Sequence, residues 1–131
     1  MTDDAGRRPP TAPVEPPRVH TEPHPDGRVL MVRVGGEIDY ATGGLLRERV
    51  ISAAGQASPP RLVLDLDGVT FCDASGLGAL VAIRNAVRAR HGDLAIARPS
   101  AMCRRVLQCT GLDQHIHTTA TVDCAITHLT P

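Results

Sequence analysis

Arg61-Leu62-Val63-Leu64-Asp65-Leu66-Asp67-Gly68-Val69-Thr70-Phe71-Cys72-Asp73-Ala74-Ser75-Gly76-Leu77-Gly78 is the stretch from which the fold can be read. It begins as an apolar run of strand length, and Asp67-Gly68 closes that run with turn chemistry. Residues 69–72 lead on to Ser75, and helix-compatible residues continue from there to Arg90. A serine at such a junction is a good N-cap, because its oxygen can accept a hydrogen bond from an orphan amide of the first turn. The same amides, with the helix dipole, also receive an anion. Ser75 is therefore either an ordinary cap or a position where a phosphate can come and go.

Upstream of this stretch, residues 19–24 read as a weak edge strand interrupted by Pro23 and Pro25. Asp26-Gly27 turns the chain into a second strand over 29–35. Residues 42–54 predict a helix with Leu45, Leu46, Val50 and Ala53 toward the core and a first turn softened by Gly43-Gly44. Ser58-Pro59-Pro60 forms the loop before the Arg61 strand. Downstream, the helix after Ser75 carries Leu80, Ile83 and Val87 on one face, and His91-Gly92-Asp93 ends it. Residues 94–97 predict a short buried strand. Pro99-Ser100 opens a helix bearing Met102, Val106 and Leu107, which Gly111 terminates. A final short strand is expected over 115–118, then a closing amphipathic helix marked by Val122, Ala125, Ile126 and Leu129. Strand alternating with helix implies an α/β layer arrangement around a largely parallel sheet. Residues 1–17, rich in proline among charged and small residues, read as a disordered tail, and 18–131 as the one folded domain.

A chain of 131 residues can bury a core without staples. It is 42% apolar but only 2% aromatic, so that core must be built from Leu, Val, Ile and Ala. Acidic and basic residues number 14 each, which argues against a nucleic-acid footprint. Every basic residue is Arg, which excludes any mechanism that needs a lysine. Cys72, Cys103, Cys109 and Cys124 form no C-x-x-C pair and read as small buried apolar side chains in a reducing cytosol. His115-Ile116-His117 would set two imidazoles on one face of a strand, but no third ligand is visible, so no metal site is expected. The longest convincing apolar run, residues 77–83, is far too short to span a membrane, and no signal peptide is recognisable. These features point to a soluble cytoplasmic protein with no cofactor, no membrane contact and no direct nucleic-acid partner.

Two enzyme readings arise, of which a haloacid-dehalogenase-like phosphatase stays as the alternative from a different class. Asp65-Leu66-Asp67-Gly68-Val69 resembles motif I of haloacid-dehalogenase-type phosphatases, in which the first Asp is the nucleophile and the second the general acid. Such sites also need a basic residue, commonly Lys, and a distal acidic pair for magnesium. This chain has no Lys, and Asp93, Asp113 and Asp123 stand alone, so Asp65 and Asp67 read as strand-end and turn residues. Ser75 is not a hydrolase nucleophile, because position 73 is Asp where G-x-S-x-G needs Gly. Gly76-Leu77-Gly78-Ala79-Leu80-Val81 lacks the third glycine of a dinucleotide fingerprint. No catalytic residue is expected. Ser75 reads as a substrate, and the chain as a binding module.

Asp73-Ala74-Ser75-Gly76-Leu77-Gly78, two residues past Phe71-Cys72, resembles the phospho-acceptor loop of anti-sigma factor antagonists of the STAS family. Val32-Arg33-Val34-Gly35-Gly36-Glu37-Ile38-Asp39 looks like that family's second strand and its G-E-h-D signature. Val106-Leu107-Gln108-Cys109-Thr110-Gly111-Leu112 looks like its third helix and the turn after it, so the likeness runs in order over residues 19–129. The resemblance implies a mixed, mostly parallel sheet of about five strands, with an antiparallel first hairpin and about four helices packed mainly on one face. It implies a protein that binds an anti-sigma factor with a histidine-kinase-like ATPase fold and thereby releases a sigma factor. That partner would phosphorylate Ser75 with ATP and switch the antagonist off, and a phosphatase would restore it. By the same resemblance Asp39, Thr42, Asp73, Ser75, Gly76 and Leu77 are the partner-binding residues, although Asp39 and Thr42 also read as caps of the helix that follows. Where many family members carry two adjacent serines this chain has Ala74-Ser75, leaving a single candidate acceptor. A phosphorylation-independent scaffold or ligand-sensing domain is the alternative within the family.

Overall fold

In the computed structural model, residues 17–25, 27–55 and 59–130 are described. Residues 1–16 of the expected tail over 1–17, and Asp26 and Ser58 of the two expected loops, lie outside the described residues. Pro17 is buried, and its carbonyl accepts a hydrogen bond from Arg49 Nη1 at 2.8 Å. The elements follow as β1 (Arg18–Pro23), β2 (Leu30–Ile38), α1 (Tyr40–Ala54), β3 (Arg61–Cys72), α2 (Gly78–Ala89), β4 (Asp93–Ala97), α3 (Ala101–Thr110), a 3-10 turn (Leu112–Gln114), β5 (His117–Thr119) and α4 (Val122–Leu129).

The strands lie side by side in chain order, β1-β2-β3-β4-β5. β1 runs antiparallel to β2, and every later pair is parallel. This order explains the layering. Crossovers between parallel strands are right-handed, so a sheet that always advances in one direction places each crossover helix on the same face. Leu46 and Val50 of α1, Leu80 and Ile83 of α2, and Leu107 of α3 accordingly share one core with Val32, Val34, Leu62, Leu64 and Ile96. Helix α4 follows the last strand and is not a crossover. It covers the opposite face, where Ala125 and Leu129 pack on Val29, Met31, Val63, Ala95 and Ala97. Both cores are aliphatic, as the composition required.

Several features differ from the sequence reading. β3 does not stop at Asp67-Gly68 but continues to Cys72. Pairing shifts from Arg33↔Asp65 to Gly35↔Gly68, and again from Gly36↔Val69 to Glu37↔Phe71, so β3 absorbs an extra residue at each step. The Asp-Gly pair thus serves a bulge rather than a turn. A Cβ on Gly68 would stand 3.1 Å from the Val34 carbonyl oxygen, so β2 backbone fills the space a side chain would need. The last strand begins at His117, because the 3-10 turn draws His115 into a cap whose amide donates to the Leu112 carbonyl. His115 and His117 therefore do not share a strand face. On α1, Leu45 faces outward, and Ala54 rather than Ala53 completes the buried stripe.

Candidate functional site

β2 and β3 end together, with Ile38 opposite Cys72, and the two chains that leave them build one surface. On the β2 side the helix start is tightly specified. The Asp39 carboxylate accepts from the Thr42 amide, and Thr42 Oγ1 accepts from the Asp39 amide, both at 3.0 Å. Thr42 Oγ1 also donates to the Glu37 carbonyl at 2.7 Å. Asp39 is therefore the N-cap of α1, with Thr42 closing a reciprocal capping box. Thr42 is only 1% exposed, so it supports the surface from beneath.

On the β3 side, Asp73 organises the loop. Its amide donates to the Ile38 carbonyl at 3.2 Å, tying the loop to the end of β2. Its Oδ1 accepts from the Gly76 amide at 2.9 Å and from Ser75 Oγ at 2.7 Å. This reverses the expected roles: Ser75 is not the cap. Helix α2 starts at Gly78 with no side-chain cap, and the turn before it is capped by the Asp73 carboxylate. A carboxylate competes better than a hydroxyl for these amides because it is charged and sits at the positive end of the helix. The Ser75 hydroxyl is left exposed, and it donates to Asp73.

Gly76 and Leu77 fix the loop in place. A Cβ on Gly76 would lie 2.3 Å from the Ile38 carbonyl oxygen and 2.6 Å from the Asp39 amide, so no other residue fits between the two strand ends. Leu77 is buried in the main core. Gly43 of α1 approaches the same loop, since a Cβ there would stand 3.5 Å from the Gly76 carbonyl oxygen. Asp39, Thr42, Asp73, Ser75, Gly76 and Leu77 are thus brought together, with Thr42, Gly76 and Leu77 buried and Ser75 on the surface.

Sequence reasoning passed over the exposed apolar residues of α1 and α2. Tyr40, the first residue of α1, is 87% exposed, and Leu45 on α1 and Val81 on α2 are also exposed. Helices α1 and α2, which carry these side chains, pack against each other. An outward tyrosine in a chain with a single Tyr was the available signal.

The matching profile, described as the STAS domain, covers residues 20–125. This chain is a STAS-family protein. The anti-sigma F factor antagonist of Paenibacillus polymyxa is 30% identical over 84 residues, which are 64% of this STAS chain and 72% of the relative. The anti-sigma-B factor antagonist of Bacillus subtilis is 31% identical over 91 residues, 70% of this chain and 82% of that protein. The crystal structure of an anti-sigma factor antagonist from Mycobacterium paratuberculosis superposes with a TM-score of 0.76 at 29% identity, covering 88% of this chain and 95% of the other.

The aspartates of the phosphatase-like motif lie elsewhere, on the sheet face beside α4. Asp65 is 2% exposed, and its two oxygens accept from Arg98 Nε at 3.0 Å and Arg98 Nη2. The Asp67 amide takes a further position on Asp65 Oδ1 at 3.1 Å. A nucleophile needs an open carboxylate oxygen, and here a guanidinium occupies both. Arg98 Nη1 also stands 3.7 Å from Asp67 Oδ2. The hydrogen-bonded Asp65 carboxylate pushes the Arg98 pKa upward. Both aspartates lie within β3 and are not strand-end and turn residues. Among the described residues no group of three or more His, Cys, Asp or Glu side chains is arranged to hold a metal ion, and no helix is long and apolar enough to cross a membrane.

Proposed function

We propose that this STAS domain is an anti-sigma factor antagonist whose contact with its partner is switched off by phosphorylation of Ser75. The partner is an anti-sigma factor with a histidine-kinase-like ATPase fold, and binding it frees a sigma factor. The supporting observation is the setting of Ser75: an exposed hydroxyl on a loop that Asp73 and Gly76 tie to the end of β2, at the meeting of two helix starts. The relatives named as anti-sigma factor antagonists support the same role. The chain acts as a ligand and a substrate, not as an enzyme.

The switch follows from the charge. A phosphoserine carries roughly −1.5 to −2 charges and has no hydroxyl proton to donate. The bond from Ser75 Oγ to Asp73 is therefore lost on phosphorylation, and a dianion faces the carboxylate that had accepted it. The helix-start amides offset part of this repulsion. A partner that packs on neutral Ser75 would have to desolvate the dianion. A penalty of about 3 kcal/mol weakens binding more than a hundredfold. A phosphatase acting on the phosphorylated loop would restore the contact.

Intact-mass analysis of the chain with ATP, magnesium and candidate anti-sigma kinases tests this reading. A kinase-dependent gain of one phosphate, lost in Ser75→Ala, is the expected result. A kinase that binds the chain tightly without ever phosphorylating it would replace the switch with a phosphorylation-independent scaffold.

A further inference from the structure

Helix α4 covers only part of its sheet face. Its 8 residues extend about 12 Å, whereas the 12 residues of β3 extend about 40 Å. Met31, Val63 and Ala97 lie beneath α4, and strand alternation carries the same face on to Arg33 and Asp65, which are register partners. Beyond them the face opens into a cavity of about 440 Å³. Two residues that line it, Gly35 and Gly68, are also register partners, and their missing side chains leave the space clear.

Three charged groups on the cavity wall have unused bonding capacity. Arg18 is paired with Gly35 in the ladder and lays its guanidinium over that glycine, where a Cβ would lie 2.8 Å from Arg18 Nη2. That guanidinium has no hydrogen bond or ion pair among the described residues. Arg98 gives Nε and Nη2 to Asp65, so its Nη1 is left with Asp67 Oδ2 at 3.7 Å, too long for a hydrogen bond. The Asp67 carboxylate, 64% exposed, has no closer cation. The remaining arginine of the wall, Arg33, is already paired with Glu22 at 3.3 Å. Holding Arg98 in this way is unfavourable locally. Its φ of 55° is a left-handed conformation disfavoured for a side-chain-bearing residue, and its anchor is a carboxylate only 2% exposed. Both features serve to fix one guanidinium at the cavity's edge.

The charges decide what fits. A plain anion would meet Asp67, and a plain cation would meet Arg18 and Arg98. A molecule that carries both signs satisfies all three, with charge-assisted hydrogen bonds at each end. We infer that this cavity binds a small zwitterion of the amino-acid class, its carboxylate on Arg18 and Arg98 Nη1 and its ammonium group on Asp67. Ser75 takes no part in this site.

The test titrates the isotope-labelled full chain and follows backbone amides by NMR. Glycine, β-alanine and γ-aminobutyrate carry the two charges at increasing separation, whereas succinate and putrescine each carry one sign only. At least one of the three zwitterions should shift the Gly35, Gly68 and Arg98 amides saturably at millimolar concentration, with succinate and putrescine weaker by about tenfold or more. Arg18→Met and Asp67→Asn, both at exposed positions, should each weaken that binding by about tenfold or more, and their own spectra report that the fold is kept. No saturable shift with any zwitterion, or shifts confined to residues away from the cavity, would overturn the site. Succinate or putrescine binding as tightly as the zwitterions, or unchanged binding in either variant, would refute recognition of both charges. No readout needs a kinase or partner, so failure here is distinguishable from failure of the Ser75 switch.

Discussion

Substituting Ser75→Asp isolates the charge from the rest of the switch. It removes the hydroxyl that donates to Asp73 Oδ1 at 2.7 Å and sets a second carboxylate beside the first. Two unit charges about 4 Å apart repel by about 1 kcal/mol in water, the relevant medium for an exposed pair. The lost exposed hydrogen bond adds about 0.5–1 kcal/mol. Interaction of the new charge with the helix start returns about 0.3–1 kcal/mol. The fold should therefore lose about 1 kcal/mol, a fall in Tm of about 4 °C for a domain of this size. Binding should suffer far more, since the partner must cover the charge, and a loss above a hundredfold corresponds to about 3 kcal/mol. Thermal unfolding measures the first quantity, and isothermal titration of the anti-sigma kinase identified by mass gain measures the second. Ser75→Ala supplies the control, expected to bind like the unsubstituted chain and to lose no more than about 1 kcal/mol of stability. A Ser75→Asp protein that folds normally and binds with unchanged affinity would refute the placement of Ser75 in the contact. A loss of fold above about 3 kcal/mol would refute the claim that the loop tolerates charge.

Gly76→Ala should cost about 2–3 kcal/mol in denaturant unfolding, because its Cβ would meet the Ile38 carbonyl backbone at 2.3 Å and the loop must detach from the strand ends. Asp39→Ala should lower stability by about 1–2 kcal/mol through loss of the α1 cap, read by the same unfolding titration. Tyr40→Ala should leave stability within about 0.5 kcal/mol yet weaken partner binding about tenfold or more by calorimetry, as expected of an exposed aromatic anchor. Arg98→Met should destabilise the fold by about 2–3 kcal/mol, because it strands the buried Asp65 carboxylate; the half-exposed position of Arg98 keeps the cost below that of a fully buried pair. Chemical unfolding at neutral pH checks the last, and added Asp65→Asn should recover part of the loss.

Much of the site was legible because its signals are local. The Asp39 cap, the Thr42 partner three residues on and the Ser100 cap of α3 each lie within one helical turn of what they bind, so spacing alone exposes them. Gly111 was readable for the same reason, since its φ of 76° is a left-handed helix end that favours glycine. Ser75 was located correctly, but its bond was not, because two neighbouring side chains could serve the same amides and the carboxylate of Asp73 prevailed. Asp67-Gly68 misled because turn chemistry and bulge chemistry use the same residues. Only the presence of β2 alongside, long enough to keep pairing, separates them.

Alternation of strand and helix, with turn and cap residues between, determined by itself the α/β class, the order of elements and an aliphatic core. It also placed a serine at the end of the central strand. These are properties of periodicity and near-neighbour chemistry, and they need no knowledge of what lies across the sheet. Tertiary structure alone decided the rest, because each remaining feature joins residues far apart in the chain. It seated Asp65 against Arg98, set Gly76 where only a hydrogen fits beside Ile38, turned Leu45 outward, and buried Cys72 and Cys103 in one core. A one-dimensional pattern records which residues avoid water; which of them meet is settled only when strands take their register and helices their face.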